Sequence, residues 1–509
     1  MYTIFVRQRI GLFLGPALFI LILILPTAYG ISFQAKMAAA VALLMATWWI
    51  TEALPIPATA LIPLLLFPLL GIMPASAVAA RYADQNIFLF IGGFFIAMAM
   101  QRWELHKRIA LYIIKFLGTS PTRLIFGFMV ATAFLSMWIS NTATTMMMFP
   151  IGLAVILHAE TMVKKARLDI PTEKGSFNFG TALMLGIAYA ASIGGVATLV
   201  GTPPNIVFAG MVRSLFPQAP EIGFLDWFKI GLPFVVIFLP VTWLCLTKII
   251  LRPRLKEIPG EKAIIEEDLN MLGRMSRGEI MTLTVFVFVA LSWIFRKNID
   301  VGFFTIPGWS NLLGLDKYVH DSTVAICGAL LLFILPVNFK KREFVLTWEW
   351  AVKIPWGIIL LFGGGFALAA GFQSSGLAKW IGERLAFLGG IQPILMIACI
   401  CLLMTFLTEV TSNTATTTMM MPVLGSMAVA MSMHPFLLMI PAAMSASCAF
   451  MLPVATPPNA IIFGSGYLRI PEMAKVGFFL NLIGVVIITL LVYFLGIPLF
   501  SITTAPLPF

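Results

Sequence analysis

One phrase occurs twice, and its recurrence constrains the fold more than any other feature of the chain. Residues 134–150 read FLSMWISNTATTMMMFP and residues 406–422 read FLTEVTSNTATTTMMMP; 11 of the 17 aligned positions are identical. The shared centre is Ser140-Asn141-Thr142 and Ser412-Asn413-Thr414, at an offset of 413 − 141 = 272. Upstream, Leu89-Phe90-Ile91-Gly92-Gly93-Phe94 matches Leu361-Phe362-Gly363-Gly364-Gly365-Phe366 at the same offset, 364 − 92 = 272. Downstream, Gly201-Thr202-Pro203-Pro204-Asn205 matches Ala455-Thr456-Pro457-Pro458-Asn459 at 456 − 202 = 254. The difference, 272 − 254 = 18, fits the polar loop at about 159–176, which the second copy lacks. Two long segments this alike, flanked by matching ones, are an internal repeat.

The setting of the phrase makes it chemically odd, because it puts hydroxyls and an amide inside apolar sequence, where unpaired polar groups are costly. The chain is 60% hydrophobic and 11% charged, whereas a soluble protein of its size has roughly 25% charged residues. It reads as an all-α polytopic membrane protein. Spans are expected near 10–30, 35–54, 56–72, 85–105, 177–212, 224–251, 279–296, 322–336, 350–372, 436–466 and 474–500, eleven in all. The repeat phrases lie between them, in 122–158 and 394–432, and each interrupts its apolar run as a re-entrant hairpin or a pair of crossings. The net charge of +11 does not argue for nucleic acid, since the basic residues sit in short clusters beside apolar spans. Five scattered cysteines and four histidines suggest no metal or haem site. The first apolar run follows Arg7 and Arg9 and lacks a clear cleavage site, so it is read as a retained span.

Basic clusters set the expected orientation. Arg7 and Arg9 put the N-terminus in the cytoplasm, and Arg102, Lys107 and Arg108 return there after four crossings. Lys164, Lys165 and Arg167 share that side if segment 122–158 enters and leaves on one face. Lys340, Lys341 and Arg342 fit as well, Lys379 and Arg384 are exceptions, and the C-terminus falls outside. Each repeat then has five crossings and one hairpin. Five is odd, so the second copy enters from the opposite side, as in the inverted-topology repeats of secondary transporters.

Irregular backbone survives at membrane depth only where it is buried or lines a cavity. Freed carbonyls and an Asn oxygen suit a bare cation, while hydroxyls, amide N–H groups and helix N-termini suit an anion. A polar helix-packing patch is the alternative for one copy; two copies in an inverted repeat favour a site. Each Thr-Pro-Pro-Asn must break its span, because two prolines remove two donors and clash with the preceding turn. Glu409 is the only Asp, Glu, Lys or Arg between Gln392 and Ile440, and its counterpart is Met137. It is either a functional acid or one satisfied by hydroxyls such as Thr408 and Thr411. Glu52 is expected at a helix end in a structural role. The methionine runs 146–148 and 419–421 read as adaptable packing rather than a metal stripe, and the Gly-Gly pairs as close helix contacts.

With the paired Ser-Asn-Thr and Thr-Pro-Pro-Asn motifs and the Trp-Ile-Thr-Glu of residues 49–52, the chain resembles the divalent anion/sodium symporter family over roughly 35–500. The resemblance implies eleven spans, two hairpins, a homodimer and an elevator motion. Under it, residues 1–121 are scaffold, 122–251 the first half of a transport domain, 252–393 a linker and further scaffold, and 394–509 the second half. It implies one sodium on Ser136, Asn141 and the Gly201 carbonyl, and a second on Thr408, Thr411, Asn413 and the Ala455 carbonyl. The dianionic substrate would meet Ser140, Asn141, Thr142, Ser412, Asn413 and Thr414, with Thr202, Pro203, Thr456 and Pro457 close by. Ala455 stands where the first copy has Gly201, a change that a carbonyl ligand survives.

The expected function is sodium-coupled symport of small dianions, foremost four-carbon dicarboxylates such as succinate, malate and fumarate, across the plasma (inner) membrane. Sodium is co-transported and no organic cofactor is expected. The expected partners are the dianion, sodium, the lipid bilayer and a second copy of the chain. A sodium-independent dicarboxylate or citrate exchanger and a sulfate symporter of the same fold are alternatives. A channel would want four-fold filter repetition, and an enzyme would want a nucleophile–base set or a metal cluster.

Overall fold

The computed structural model describes residues 2–502, apart from 28–29, 119, 166, 168, 254, 256–260, 301, 303 and 386–389. Among the described residues the regular structure is helical except for two short antiparallel ribbons. One pairs Ile299–Asp300 with Thr305–Ile306, in the register Ile299↔Ile306. The other pairs Pro336–Asn338 with Glu343–Phe344 across an irregularity in register.

Both repeat phrases fold as helix–turn–helix hairpins. In the first, the entering arm Pro121–Ser136 and the leaving arm Asn141–Lys165 flank a tip of four residues. In the second, Pro393–Thr408 and Asn413–Ala430 do the same. Between the hairpins the chain crosses five times, through the broken span 178–215, then Phe224–Ile250, Arg277–Ile294, Asp321–Ile334 and Trp356–Ser375. An odd number of crossings delivers the second hairpin from the opposite face, so the two copies are inverted.

Both Thr-Pro-Pro sequences break their spans. Asn178–Gly195 ends and Pro203–Leu215 begins after seven irregular residues. Phe436–Ser445 and Pro457–Phe463 are likewise separated. Thr202 and Thr456 are the extended N-caps, with the prolines at the first two helical positions, where a missing N–H costs nothing. Residues 179–202 and 434–450 are buried without interruption. A helix apolar on all sides belongs at the centre of a membrane protein, and these two form its middle. Asn178–Gly195 packs between both arms of the first hairpin, and Phe436–Ser445 between both arms of the second. The remaining halves cross over: Pro203–Leu215 lies on the leaving arm of the second hairpin, and Pro457–Phe463 on that of the first.

The Gly-Gly pairs are close contacts. A Cβ on Gly92 would stand 2.7 Å from the Ala325 carbonyl carbon, and one on Gly364 2.3 Å from the Ala60 oxygen. Glu52 is a helix C-cap with φ 51°, joined to Arg7 at 3.0 Å. The expected span 56–72 is two short helices, Ile56–Thr59 and Ile62–Leu69, each with a proline at its second position. Two further helices, Leu105–Leu117 and Leu377–Leu385, precede the hairpins at the repeat offset, 377 − 105 = 272. In the first, Leu105, Leu111 and Ile114 are buried while Phe116 is exposed; in the second, Leu377 is buried while Lys379 and Arg384 are exposed. These are amphipathic helices where the sequence reading had loops. They account for the charges that broke the orientation pattern: Lys379 and Arg384 occupy the polar face of a short helix rather than a loop between spans.

Candidate functional site

The site residues sit where helices stop and start. The helices ending at Ser136, Gly195, Thr408 and Ser445 present the carbonyl ends of their dipoles. The helices starting at Asn141, Pro203, Asn413 and Pro457 present N–H ends. The first kind of end favours a cation and the second an anion.

At the first tip the Ser136 hydroxyl lies 2.7 Å from Asn141 Oδ1 and 2.7 Å from the Ala191 carbonyl oxygen. A hydroxyl has one hydrogen and can donate to only one of them. That hydroxyl's one proton is shared among three oxygens, an excess of lone pairs that a bare cation would neutralise. The backbone is equally close: a Cβ on Gly195 would lie 2.4 Å from Asn141 Oδ1, and one on Gly201 would lie 2.5 Å from the Gly195 oxygen and 3.0 Å from the Ser136 oxygen. Ser136, Asn141, Gly195 and Gly201 form one cluster, held from the far side by the Thr198 hydroxyl, which donates to the Met137 carbonyl at 2.5 Å.

The second tip repeats the arrangement. Thr408 Oγ1 lies 2.7 Å from Asn413 Oδ1 and 3.0 Å from the Ala446 carbonyl oxygen, again one proton among three oxygens. The Thr411 hydroxyl donates to Leu407 O and meets the Thr416 hydroxyl, which leaves it a lone pair for an ion. Ala455 is buried, while Val454 beside it is 77% exposed. Its place in this half rests on the repeat, in which it corresponds to Gly201.

Ser140 accepts from Ala143 N at 3.3 Å, and its carbonyl and that of Ser412 receive the first helical N–H groups of their leaving arms. Ser140, Asn141, Thr142, Ser412 and Asn413 are partly open and Thr414 nearly closed. Thr202 and Thr456 are buried, the latter accepting from Asn459 N at 3.2 Å; Pro203 is partly open and Pro457 exposed.

Glu409 is committed to structure. Its Oε1 accepts from Phe450 N at 2.7 Å, Met451 N at 2.9 Å and Asn481 Nδ2 at 2.7 Å, and its Oε2 from Leu452 N at 3.1 Å. The carboxylate does for the second unwound stretch what Thr198 does for the first. The partners are backbone amides and Asn481, not the hydroxyls of Thr408 and Thr411. Across 124–157, 177–212 and 393–468 it is the only Asp, Glu, Lys or Arg. Ala191 and Ala446 act through backbone carbonyls and leave no mark in the sequence, and the signal of Asn205 and Asn459 is their duplication.

Paired broken helices and hairpin tips with proton-poor oxygen clusters, buried in an inverted repeat, define a secondary membrane transporter. The chain belongs to the sodium:sulfate symporter family, whose transmembrane-region model matches residues 7–502. The sodium-dependent dicarboxylate transporter SdcS of Staphylococcus saprophyticus is 46% identical over 505 residues, 99% of this chain and 94% of that one. SdcS of Staphylococcus aureus strain MRSA252 is 47% identical over 489 residues, 96% of this chain and 91% of that one. Among solved structures the fold is shared with the YdaH transporter of Alcanivorax borkumensis, at TM-score 0.57 and 13% identity over 83% of this chain and 88% of that one. It is shared also with MtrF of Neisseria gonorrhoeae, at TM-score 0.57 and 12% identity over 94% of this chain and 98% of that one.

Proposed function

We propose that this integral membrane protein is a sodium-coupled symporter of four-carbon dicarboxylates. The observation that carries the reading is the pair of proton-poor oxygen clusters, Ser136–Asn141–Ala191 and Thr408–Asn413–Ala446. Sodium occupies each, with the Gly201 carbonyl completing the first and Thr411 and the Ala455 carbonyl the second. The dianion lies against Ser140, Asn141, Thr142, Ser412, Asn413 and Thr414 and the helix starts at Thr202-Pro203 and Thr456-Pro457. These segments supply no Lys or Arg, so the N-terminal dipoles, each worth about 0.3–1 kcal/mol, and the sodium ions provide the positive potential. The anion binds poorly until the cations are in place, which is the physical basis of coupling. The SdcS relatives, named for sodium-dependent dicarboxylate transport, support the choice of ion and substrate.

The two hairpins and two broken spans move together as the transport domain, past a scaffold formed by the remaining helices, in a homodimer. Purified protein in liposomes should accumulate labelled succinate when an inward sodium gradient is imposed. Equal uptake in sodium, potassium and choline would replace symport with exchange. The N-terminus is placed in the cytoplasm of a cell whose plasma (inner) membrane holds the protein, with the C-terminus outside. Single cysteines in 169–176 should then be labelled from the cytoplasm and single cysteines in 431–435 from outside; labelling of both from one side would contradict this orientation.

A further inference from the structure

The Thr-Pro-Pro motifs each end in an asparagine for which the dianion and sodium contacts above have no use. Asn205 and Asn459 are both 0% exposed. Asn205 Nδ2 donates to the carbonyls of Gly195 at 3.2 Å, Val196 at 3.2 Å and Thr198 at 2.7 Å. Asn459 Nδ2 donates to those of Ala449 at 3.0 Å and Leu452 at 3.0 Å. The correspondence follows the repeat: 459 − 205, 449 − 195 and 452 − 198 all equal 254. Unwinding a helix inside a membrane strands carbonyls, and here one side-chain amide gathers them in each half.

The amide orientation is settled by these partners, since a flip would set Oδ1 against two or three carbonyl oxygens. That leaves Asn205 Oδ1 and Asn459 Oδ1 buried with no hydrogen-bond partner, in both halves alike. A lone buried acceptor keeps the cost of its lost hydration, and its negative end adds to the potential that a cation feels nearby. In the first half one of the held carbonyls is that of Gly195, the residue packed against both Asn141 Oδ1 and Gly201. In the second, Leu452 is gripped at both ends, its N–H by Glu409 and its carbonyl by Asn459.

We infer that Asn205 and Asn459 are positioning residues for sodium, each serving only the cation cluster of its own half. Each withdraws from the ion the carbonyls that it holds, and so fixes the backbone that carries the Gly201 or Ala455 carbonyl. The inference rests on the cation sites proposed above.

The test is the sodium dependence of thermal stability of the purified full chain in detergent, with choline replacing sodium. Asn205→Ala and Asn459→Ala should each raise the half-maximal sodium concentration by on the order of 10-fold, as loss of a ligand-orienting partner does. Succinate affinity at saturating sodium should change much less. Residues acting on one site are non-additive, so Asn205→Ala should add little to Ser136→Ala but multiply with Thr408→Ala, and Asn459→Ala the reverse. A purely structural asparagine would lower melting equally at every sodium concentration and leave the midpoint in place, which would overturn the inference. So would coupling across halves. If the alanine variants do not fold, Asn205→Ser and Asn459→Ser retain one short donor and should show intermediate shifts; a folded serine variant with the parental midpoint also overturns it. Unchanged midpoints in Ser136→Ala and Thr408→Ala would instead remove the cation sites themselves.

Discussion

Gly201→Ala should abolish transport, whereas Ala455→Gly should leave it close to the parental level. The two positions are equivalent in the repeat, yet the space around them differs. A Cβ on Gly201 would stand 2.5 Å from the Gly195 carbonyl oxygen and 3.0 Å from that of Ser136, and both are backbone atoms that cannot rotate away. Either the unwound stretch or the hairpin tip must retreat, and both carry proposed sodium ligands. A displacement of about 1 Å at such a site costs roughly 100-fold in rate. Ala455 already carries a Cβ, so removing it opens no clash and costs at most about 0.5–1 kcal/mol of backbone entropy. Initial rates of sodium-driven succinate uptake, normalised to protein in the membrane, check both. Robust transport by Gly201→Ala would detach that residue from the ion site.

Asn141→Ala and Asn413→Ala have the next largest effects. Each removes an Oδ1 that lies 2.7 Å from a hydroxyl with one proton to share among three oxygens. The same side chain opens a helix whose N–H end faces the proposed anion. Losing one therefore strips a cation ligand and disturbs a dianion contact together. Uptake should fall by about 100-fold or more, beyond the 10–100-fold typical of an outer-sphere partner. Both residues are partly open rather than core-packed, so expression, and the melting temperature in choline, should hold within the range of ordinary surface changes. Near-normal uptake by either variant would exclude that residue from the site.

Much of this was legible because the chain is written twice. The 272-residue offset exposed both tips, the 254-residue offset exposed both breaks, and the odd number of crossings forced the inversion. What stayed hidden had no pattern of its own. Leu105–Leu117 and Leu377–Leu385 carry Lys107, Arg108, Lys379 and Arg384, so they read as loops between spans although their apolar faces are buried. Glu409 stood out as a lone acid, but its partners are three backbone N–H groups and Asn481, 72 residues away, and backbone donors leave no trace in side-chain spacing. Ala191 and Ala446 contribute only carbonyls and were invisible for the same reason. Asn205 and Asn459 lay in plain view inside duplicated motifs; their role depends on how the unwound chain folds back on them.

The central claim is that sodium supplies the positive charge that this pocket lacks. It implies linkage: if sodium raises the affinity for succinate, succinate must raise the affinity for sodium by the same factor. Calorimetric titration of succinate into the purified protein, at sodium concentrations from zero to saturation with choline making up the ionic strength, measures that factor directly. The account predicts an affinity that strengthens by on the order of 100-fold as sodium saturates, the upper part of the usual range for coupled sites, with no such gain in potassium. An affinity for succinate that is the same in choline, potassium and sodium would contradict it.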